Sequence, residues 1–325
     1  MRLFRAGFCC SLALLWPSLA LSQTVKQSAS ETEPTVGPNM TSHRERTRDI
    51  DAIGSRNVGC GRGIGNWYSI QSQIALGKQY ANRIESTSKL ITDPEITDYI
   101  SRVGQNLVRN SDAQVPFTIK VIDSDDVNAV ALPGGFFYID SGLILAADNE
   151  AELAGVMAHE IAHVAACHAA RGRTRGQLLG LASLSITMIG GPIAYAAYET
   201  MTVAKPFTLL RFSRKFESEA DFYGVQYMYR AGYDPQALPT FFERVQAIEK
   251  GNRGVVAKAF ATHPQTADRI AKTQDEINSL LPAETEYKVD TSEFQEIKAL
   301  LNQRQNRKPT YNPGHPTLRR MTTAE

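Results

Sequence analysis

The sequence has few cysteines, no excess of charge and no internal repeat, and each absence excludes a class of protein. Four cysteines occur in 325 residues, too few for a fold that depends on a disulfide scaffold. The formal net charge of +1 lacks the basic excess that nucleic-acid binders carry, so we expect no nucleic-acid partner. No period of roughly 20–50 residues recurs, which excludes solenoids and helical-repeat arrays.

The N-terminus also lacks an apolar run long enough to span a bilayer, but it carries the pattern of an export signal. Two arginines precede the apolar run Ala6–Trp16, and small residues follow it before a cleavage site. We therefore predict a signal peptide over residues 1–22 and export of the mature chain. The alternative is an uncleaved membrane anchor, but the run is shorter than the roughly 20 residues that a span requires.

Composition and periodicity divide the remaining chain into three parts. Residues 23–66 are polar without apolar periodicity and indicate a flexible leader, residues 67–302 indicate a folded domain, and residues 303–325 indicate a disordered tail. The domain is expected to be mostly helical. Helices are predicted at 70–84, 93–107, 149–170, 217–231, 235–249, 264–281 and 291–301, and strands at 117–122 and 136–139.

Residues 176–198 carry no charge. Gly190-Gly191-Pro192 divides this segment into two pieces, each too short to cross a bilayer, so we predict a hairpin and not a span. The hairpin is either buried or forms an apolar lid or lip that touches a membrane peripherally.

A His-Glu-x-x-His motif, residues 159–163, lies in the long helix predicted at 149–170. Residues four apart share a helix face, so His159 and His163 can bind one metal ion. Glu160 lies beside that face and can reach a metal-bound water without being a ligand. The helix is apolar nearly all round, and unpaired polar groups buried there would cost several kcal/mol, so a metal accounts for all three side chains.

A catalytic zinc ion needs a third protein ligand, and the acidic start of the helix at 217–231 offers one. Glu217 and Asp221 are four residues apart and share a face. One can bind zinc while the other hydrogen-bonds the outer nitrogen of a ligand histidine. Glu219 points elsewhere by about 160–200° and is expected to be a surface charge.

Five motifs, in this order, resemble those of one peptidase family. The family contains the CaaX prenyl proteases and the heat-shock membrane proteases, and the similarity is greatest to its soluble periplasmic branch, the outer-membrane-assembly and quality-control proteases. The motifs are Asn128-Ala129, Pro133-Gly134-Gly135, the His-Glu-x-x-His motif, Glu217-x-x-Ala220-Asp221 and Thr262-His263-Pro264.

The resemblance implies an α+β fold of the gluzincin type, mostly helical with a small, mainly antiparallel sheet. It implies that His159, His163 and Glu217 bind one Zn²⁺ per chain. Glu160 would then be the catalytic base and Asp221 the carboxylate that orients a ligand histidine.

The activity that the resemblance implies is that of a periplasmic zinc metalloendopeptidase acting on unfolded or misassembled protein substrates. Two alternatives stay open: a membrane-associated prenyl-type protease, and a non-catalytic, chaperone-like zinc protein. A site without turnover would have no need of Glu160 as a base. Sheets of such peptidases commonly offer an edge strand to an extended peptide. The strand after Gly134-Gly135 is the expected edge, because glycines let a substrate backbone approach closely.

His263 has two candidate roles, because the family places its Thr-His-Pro loop near the catalytic cleft. It fills the open fourth position of the zinc at rest, or it hydrogen-bonds the oxyanion of the transition state. The loop is expected at the N-terminal boundary of the helix that begins at Pro264.

The other histidine and the cysteines near the motif are expected to be unremarkable. His168 is five residues past His163, about 140° round the predicted helix, so we expect a surface or capping residue. Cys60 and Cys167 are expected to be unrelated thiols. The alternatives are a disulfide that tethers the leader, or Cys60 bound to zinc as a thiolate.

Overall fold

Ten helices and four strands lie in the part of the chain that the structure, a computed structural model, describes: residues 43–178, 213–251, 263 and 266–307. The helices are α1 His43–Arg48, α2 Ile70–Thr87, α3 Pro94–Arg109, α4 Ser141–Ala146, α5 Glu150–Ala165, α6 168–178, α7 Arg214–Arg230, α8 Ala237–Gly251, α9 Ala267–Leu280 and α10 Ser292–Arg307. The strands are β1 Leu90–Ile91, β2 Thr118–Ile122, β3 Ala129–Leu132 and β4 Phe136–Asp140. Of these, β1, β3, α1 and α4 are not predicted by the sequence patterns, and the single helix predicted at 149–170 is divided into α5 and α6 by a turn at 166–167.

Polar caps fix where the principal helices begin. Asp93 accepts a hydrogen bond from the backbone N–H of Glu95 at the start of α3, as the Asp-Pro pair predicts. Asn149 caps α5 and Ser213 caps α7 in the same way. These two caps begin the two helices that carry the histidines and carboxylates described below.

The four strands form one mixed sheet in the order β1-β2-β4-β3. The β1–β2 and β3–β4 pairs are antiparallel, but the central β2–β4 pair is parallel. The prediction of a mainly antiparallel sheet therefore holds only in part. The reason is that β3 does not pair with β2, which precedes it in the chain. The chain turns back after β3, and β4 is inserted between the two strands. It pairs with β3 on one side and with β2 on the other, where it runs parallel to β2.

The turn Pro133-Gly134-Gly135 makes that insertion feasible. Both glycines have positive φ, 83° and 88°. A Cβ at Gly134 would lie 2.6 Å from Ile74 Cα in α2, and a Cβ at Gly135 would lie 2.1 Å from the carbonyl oxygen of Pro116. The space at these glycines is thus filled by the chain itself. The prediction that they let a substrate backbone approach is wrong.

Helix α5 runs through the centre of the fold. All of its residues are buried, and it packs against α3, α7, α8 and β3. A helix that is surrounded on every side is expected to be apolar on all its faces. The sequence of α5 fits this, because most of its residues are apolar. The polar side chains of α5 are therefore held inside the protein, where each requires a partner.

Residues 43–66, the described part of the segment before α2, pack into the folded domain, so the predicted flexible leader does not extend over them; the rest of that prediction, residues 23–42, lies outside the described residues. Arg56 and Asp112 form a buried ion pair with an N···O distance of 2.6 Å, and Arg56 also donates to Gln226 of α7. Val58 lies in the hydrophobic core. Periodicity missed this segment because a buried ion pair, and not an apolar face, attaches it to the domain.

Cys60 and Cys167 form a disulfide that ties this segment to the end of α5. The prediction of two unrelated thiols is therefore wrong, and so is the alternative of Cys60 as a zinc ligand. The two cysteines are 107 residues apart, and no sequence pattern relates positions at such a separation.

Helix α10 extends to Arg307, past the predicted start of the tail at 303. The predictions for the signal peptide at 1–22 and for the hairpin at 176–198, beyond its first three residues, lie outside the described residues. Among the helices that the structure describes, none is both long enough and apolar enough to cross a membrane.

Candidate metal centre

The two histidines of the His-Glu-x-x-His motif lie on one face of α5, as their spacing predicts. Their Nε2 atoms are 3.1 Å apart, and both side chains are buried. Two imidazole nitrogens this close can bind the same metal ion.

Helix α7 brings Glu217 against the two histidines. Its Oε1 is 3.5 Å from His163 Nε2, and its Oε2 is 3.6 Å from His159 Nε2. With His263 these residues form a buried cluster whose candidate ligand atoms all lie within 4.8 Å of one another. Two imidazoles and one carboxylate are a donor set typical of catalytic zinc.

The charges in the site favour a cation between these groups. Burial opposes a charge on His159, but the Asp221 and Glu217 carboxylates outweigh burial and raise the pKa of His159 to about 9. Burial, together with the neighbouring histidine His159, lowers the pKa of His163 well below its usual range. His163 therefore keeps a lone pair for a metal, and the carboxylates that attract a proton to His159 would equally attract a metal cation.

Glu160 is anchored to the sheet by one of its two oxygens. Its Oε2 accepts a hydrogen bond of 3.1 Å from the backbone N–H of Ala131 in β3. Its Oε1 is buried, makes no hydrogen bond in the part of the chain that the structure describes, and lies 3.4 Å from His263 Nε2. A buried carboxylate oxygen of this kind beside a His-His-Glu cluster suits a water held at a metal, so the residues fit a zinc ion.

His263 reaches the cluster from the segment before α9. Its Nδ1 is 3.0 Å from Glu217 Oε1, and its side chain is buried. Helix α9 begins at Ala267 with Thr266 as its N-cap, three residues later than the predicted start at Pro264. His263 therefore precedes the helix and lies between the carboxylates of Glu160 and Glu217.

Asp221 lies behind His159, one turn after Glu217 on the same face of α7. Its Oδ1 is 2.9 Å from His159 Nδ1, the nitrogen that faces away from the cluster. Arg269 of α9 donates two hydrogen bonds of 2.7 Å to the Asp221 carboxylate. Burial would raise the pKa of Asp221, but the Arg269 guanidinium and His159 outweigh it and lower that pKa.

Sequence reasoning missed Arg269. Its Nη1 lies 2.9 Å from Glu217 Oε2, so one guanidinium holds both carboxylates that face His159. The signal that could have found it is its position in the first turn of α9, where the helix dipole disfavours a cation. A buried arginine at such a position needs a carboxylate partner.

His168 is not a surface residue, which corrects the prediction. It is 0% exposed, its Nδ1 lies 2.8 Å from His163 Nδ1, and its ring stacks on Phe216 with centroids 4.5 Å apart. Helix α5 ends at Ala165, Cys167 adopts a left-handed φ of 52°, and α6 starts at His168. The rotation of 100° per residue along one helix therefore does not apply to His168.

Glu219 is likewise engaged and not a free surface charge. Its two oxygens accept hydrogen bonds of 3.1 Å from Arg171, and its Oε2 lies 3.4 Å from His168 Nε2. Burial opposes its charge, but His168 and Arg171 outweigh burial and lower the pKa of Glu219 to about 2. Burial lowers the pKa of His168 to about 4, so the imidazole is neutral near pH 7.

The sheet edge nearest the cluster is β3, not the predicted strand. β4, which follows Gly134-Gly135, lies between β2 and β3 and has no open edge. β3 is an end strand of the sheet, and its Ala131 contacts Glu160. A small pocket opens beside His163, and it is lined by Gln73, Ala131, Pro133, His163, Val164, Cys167 and Ala169.

Several known proteins are similar to this chain in sequence. The model of the family described as Peptidase family M48 matches residues 94–277, more than half of the chain. The Beta-barrel assembly-enhancing protease of Escherichia coli (strain K12) is 32% identical over 232 residues, which are 68% of this chain and 47% of that protein. Mitochondrial metalloendopeptidase OMA1 of Schizosaccharomyces pombe is 34% identical over 184 residues, 55% of this chain and 52% of that protein.

A third relative, Metalloprotease LoiP of Escherichia coli (strain K12), is 28% identical over 199 residues, 60% of this chain and 77% of that protein. The chain spans about half the length of the Beta-barrel assembly-enhancing proteases that it matches. The family resemblance drawn from the motifs is confirmed: the chain belongs to peptidase family M48.

Proposed function

We propose that the chain is a zinc-dependent metalloendopeptidase that hydrolyses peptide bonds of protein substrates. The observation that carries this proposal is the buried cluster of His159, His163 and Glu217, with the carboxylate of Glu160 beside it. The family and the names of the relatives, which are proteases, support the same activity.

In this proposal His159, His163 and Glu217 hold one Zn²⁺ per chain. The bound ion would supply Lewis-acid activation of the scissile carbonyl and of the attacking water. Glu160 accepts the proton of that water through Oε1 and passes it to the leaving amine. Its other oxygen stays bound to the N–H of Ala131, which keeps the carboxylate oriented throughout.

Strand β3 is the edge along which we expect the substrate to lie. Its backbone adjoins Glu160, and the pocket beside His163 opens next to it. A peptide added to this edge would bring its backbone past the cluster in extended form, which leaves one scissile bond facing the metal.

The role of His263 is open between a resting cap and an oxyanion donor. Its imidazole lies between Glu217 and Glu160, within reach of the position where a fourth ligand would bind. If His263 is a cap, His263→Ala raises peptidase activity or causes self-cleavage. If it is an oxyanion donor, the same change lowers kcat by about 10²–10³-fold. Steady-state kinetics on a short peptide distinguish the two, and unchanged activity would remove His263 from the mechanism.

We further propose export through the signal peptide at 1–22 and action in the periplasm on unfolded or misassembled proteins. The proposal is supported by the apolar N-terminal run and by the relatives named for β-barrel assembly. Peripheral contact of residues 176–198 with a membrane is part of the same proposal. Fractionation of cells that express the full chain tests the compartment, and carbonate extraction tests whether the attachment is peripheral.

Substitution of Glu160 tests the proposed activity directly. Glu160→Gln keeps the size of the side chain and removes the base, so we expect loss of hydrolysis of an unfolded protein with the zinc content unchanged. Glu243→Gln, at an exposed position of α8, is the control and should retain activity. Turnover that survives in Glu160→Gln, or zinc that is lost with it, would contradict the assignment.

A further inference from the structure

The outer face of His163 is bound by a second imidazole, an arrangement that the proposed mechanism does not use. His168 is wholly buried, and its Nδ1 lies 2.8 Å from the Nδ1 of His163. The outer nitrogen of a metal-binding histidine usually faces a carboxylate, a backbone carbonyl or water. Here the partner is the side chain of another histidine, and that histidine has its own carboxylate, Glu219.

The proton positions follow from the geometry. His163 Nε2 faces His159 and Glu217, so it is the nitrogen that would bind the metal, and Nδ1 carries the proton. His168 Nδ1 must then accept that proton in a hydrogen bond. The remaining N–H of His168 is on Nε2, 3.4 Å from Glu219 Oε2, and a carboxylate can only accept.

The second imidazole is held on its other sides as well. Phe216 stacks on it at a centroid distance of 4.5 Å with an interplanar angle of 18°. Arg171 donates to both oxygens of Glu219 and to the carbonyl oxygen of Ala166, which follows the last turn of α5. Ring orientation is thus fixed by a stack, and the charge of Glu219 is balanced by Arg171.

We infer that His168 is a positioning residue of the metal centre, which accepts the outer N–H of His163 and links that ligand to Glu219. The inference rests on the proposed zinc site. Its consequence is that the ring of His163 is oriented, and its metal-binding nitrogen made more basic, by a chain of side chains from α6 and α7. Loss of such a contact typically weakens metal binding by about 10–100-fold.

Zinc affinity of the full chain, measured by competition with a chelator, tests the inference without any need for turnover. His168→Phe keeps a ring on Phe216 but removes the acceptor, so we expect zinc binding weakened by about 10–100-fold. His168→Asn places an amide oxygen near the position of Nδ1 and should recover most of that loss. The visible absorption of Co²⁺ bound in place of zinc should change in His168→Phe and return towards wild type in His168→Asn.

Two further variants separate positioning from general damage to α6. Thr174→Val removes a different hydrogen bond of α6, the one that the buried Thr174 accepts through Oγ1 from the N–H of Trp67, and should bind zinc as wild type does. Glu219→Gln is the alternative test variant if His168→Phe does not fold, and we expect it to weaken zinc binding by about tenfold.

Wild-type zinc affinity in His168→Phe, or in Glu219→Gln where the former does not fold, would overturn the inference. So would equal loss in His168→Phe and His168→Asn, or in Thr174→Val, because the effect would then be structural. Failure of the proposed function has a different signature: the wild-type chain itself would bind no zinc, or would bind zinc and hydrolyse nothing.

Discussion

The two histidines of α5 that we propose as metal ligands are flanked by groups of different chemistry. Behind His159 lies the Asp221 flank, Asp221 and Arg269, where a carboxylate contacts the imidazole directly and an arginine binds the carboxylate. Behind His163 lies the His168 flank, His168, Glu219 and Arg171, where a neutral imidazole stands between the ligand and the carboxylate. We expect the first flank to act on its histidine through charge and the second to act mainly through orientation.

Both flanks depend on the first two turns of α7. Glu217 faces His159 and His163, Asp221 on the same face contacts His159, and Glu219 on another face contacts His168 at the start of α6. Three carboxylates spaced two apart thus serve three different partners. The comparison shows that two carboxylates of one helix, Glu219 and Asp221, can each hold the outer side of a different histidine of another helix, directly or through a third side chain.

The largest effect is expected where the flanks meet, at Glu217. Glu217→Ala removes the only carboxylate in the described ligand cluster, so we expect zinc to be lost outright and hydrolysis with it. Metal analysis after dialysis measures this, with Glu243→Ala on the exposed surface of α8 as the control. Stoichiometric zinc in the Glu217→Ala variant would show that another residue supplies the third ligand.

Next comes the arginine of the Asp221 flank. Arg269→Met leaves the buried carboxylates of Glu217 and Asp221 without their cation, so we expect the free energy of unfolding of the metal-free chain to fall by about 3–5 kcal/mol. Urea unfolding measures it. In the control Arg304→Met the lost ion pair with Asp93 is on the surface, so the change should stay below about 1 kcal/mol. Equal effects in the two variants would mean that the Asp221 flank is not a buried charge network.

The disulfide between Cys60 and Cys167 is a further difference between the two flanks, because Cys167 directly precedes His168. Replacing Cys60 and Cys167 by serine removes the covalent link between the segment before α2 and the turn that precedes His168. We expect the free energy of unfolding to fall by about 2–4 kcal/mol. The matched comparison is wild type with and without reductant, which should shift by the same amount, while the serine variant should not respond to reductant. A serine variant as stable as the oxidised wild type would contradict the expectation.

The smallest of these effects is expected from the Asp221 flank's carboxylate. Asp221→Asn keeps the shape but removes the negative charge beside His159, so zinc binding should weaken by about 10–100-fold. Chelator competition on this variant and on His168→Phe compares the two flanks directly. Asp221 contacts its histidine directly with a charged group, whereas a neutral imidazole separates Glu219 from His163. The loss of zinc affinity should therefore be at least as large in Asp221→Asn as in His168→Phe. A consistently larger loss in His168→Phe would reverse the ranking of the flanks.

The sequence could predict the Asp221 flank's carboxylate but not the His168 flank. His159, Glu160, His163, Glu217 and Asp221 follow from residues one or four apart on continuous helices, where local geometry fixes which face each occupies. His168 lies beyond a helix break at Cys167, which adopts a left-handed φ. The sequence there, Ala165-Ala166-Cys167, contains no glycine or proline that would predict such a break.

The fold shows the same limit. Caps and apolar periodicity located most helices, but the parallel β2–β4 pair and the edge position of β3 depend on which strand the chain inserts between two others. Arg56 and Arg269 were missed because each is held in the interior by carboxylates more than 45 residues away in the sequence. Contacts at that separation are decided by tertiary packing and leave no periodic signal.

Zinc titration of the metal-free full chain tests the central claim most directly, with bound zinc and hydrolysis of an unfolded protein followed in the same samples. We predict that activity rises in proportion to zinc and is complete at one zinc per chain, because one His-His-Glu cluster is expected to carry the activity. Full hydrolysis by the metal-free chain, or a chain loaded with one zinc that hydrolyses nothing, would contradict the account.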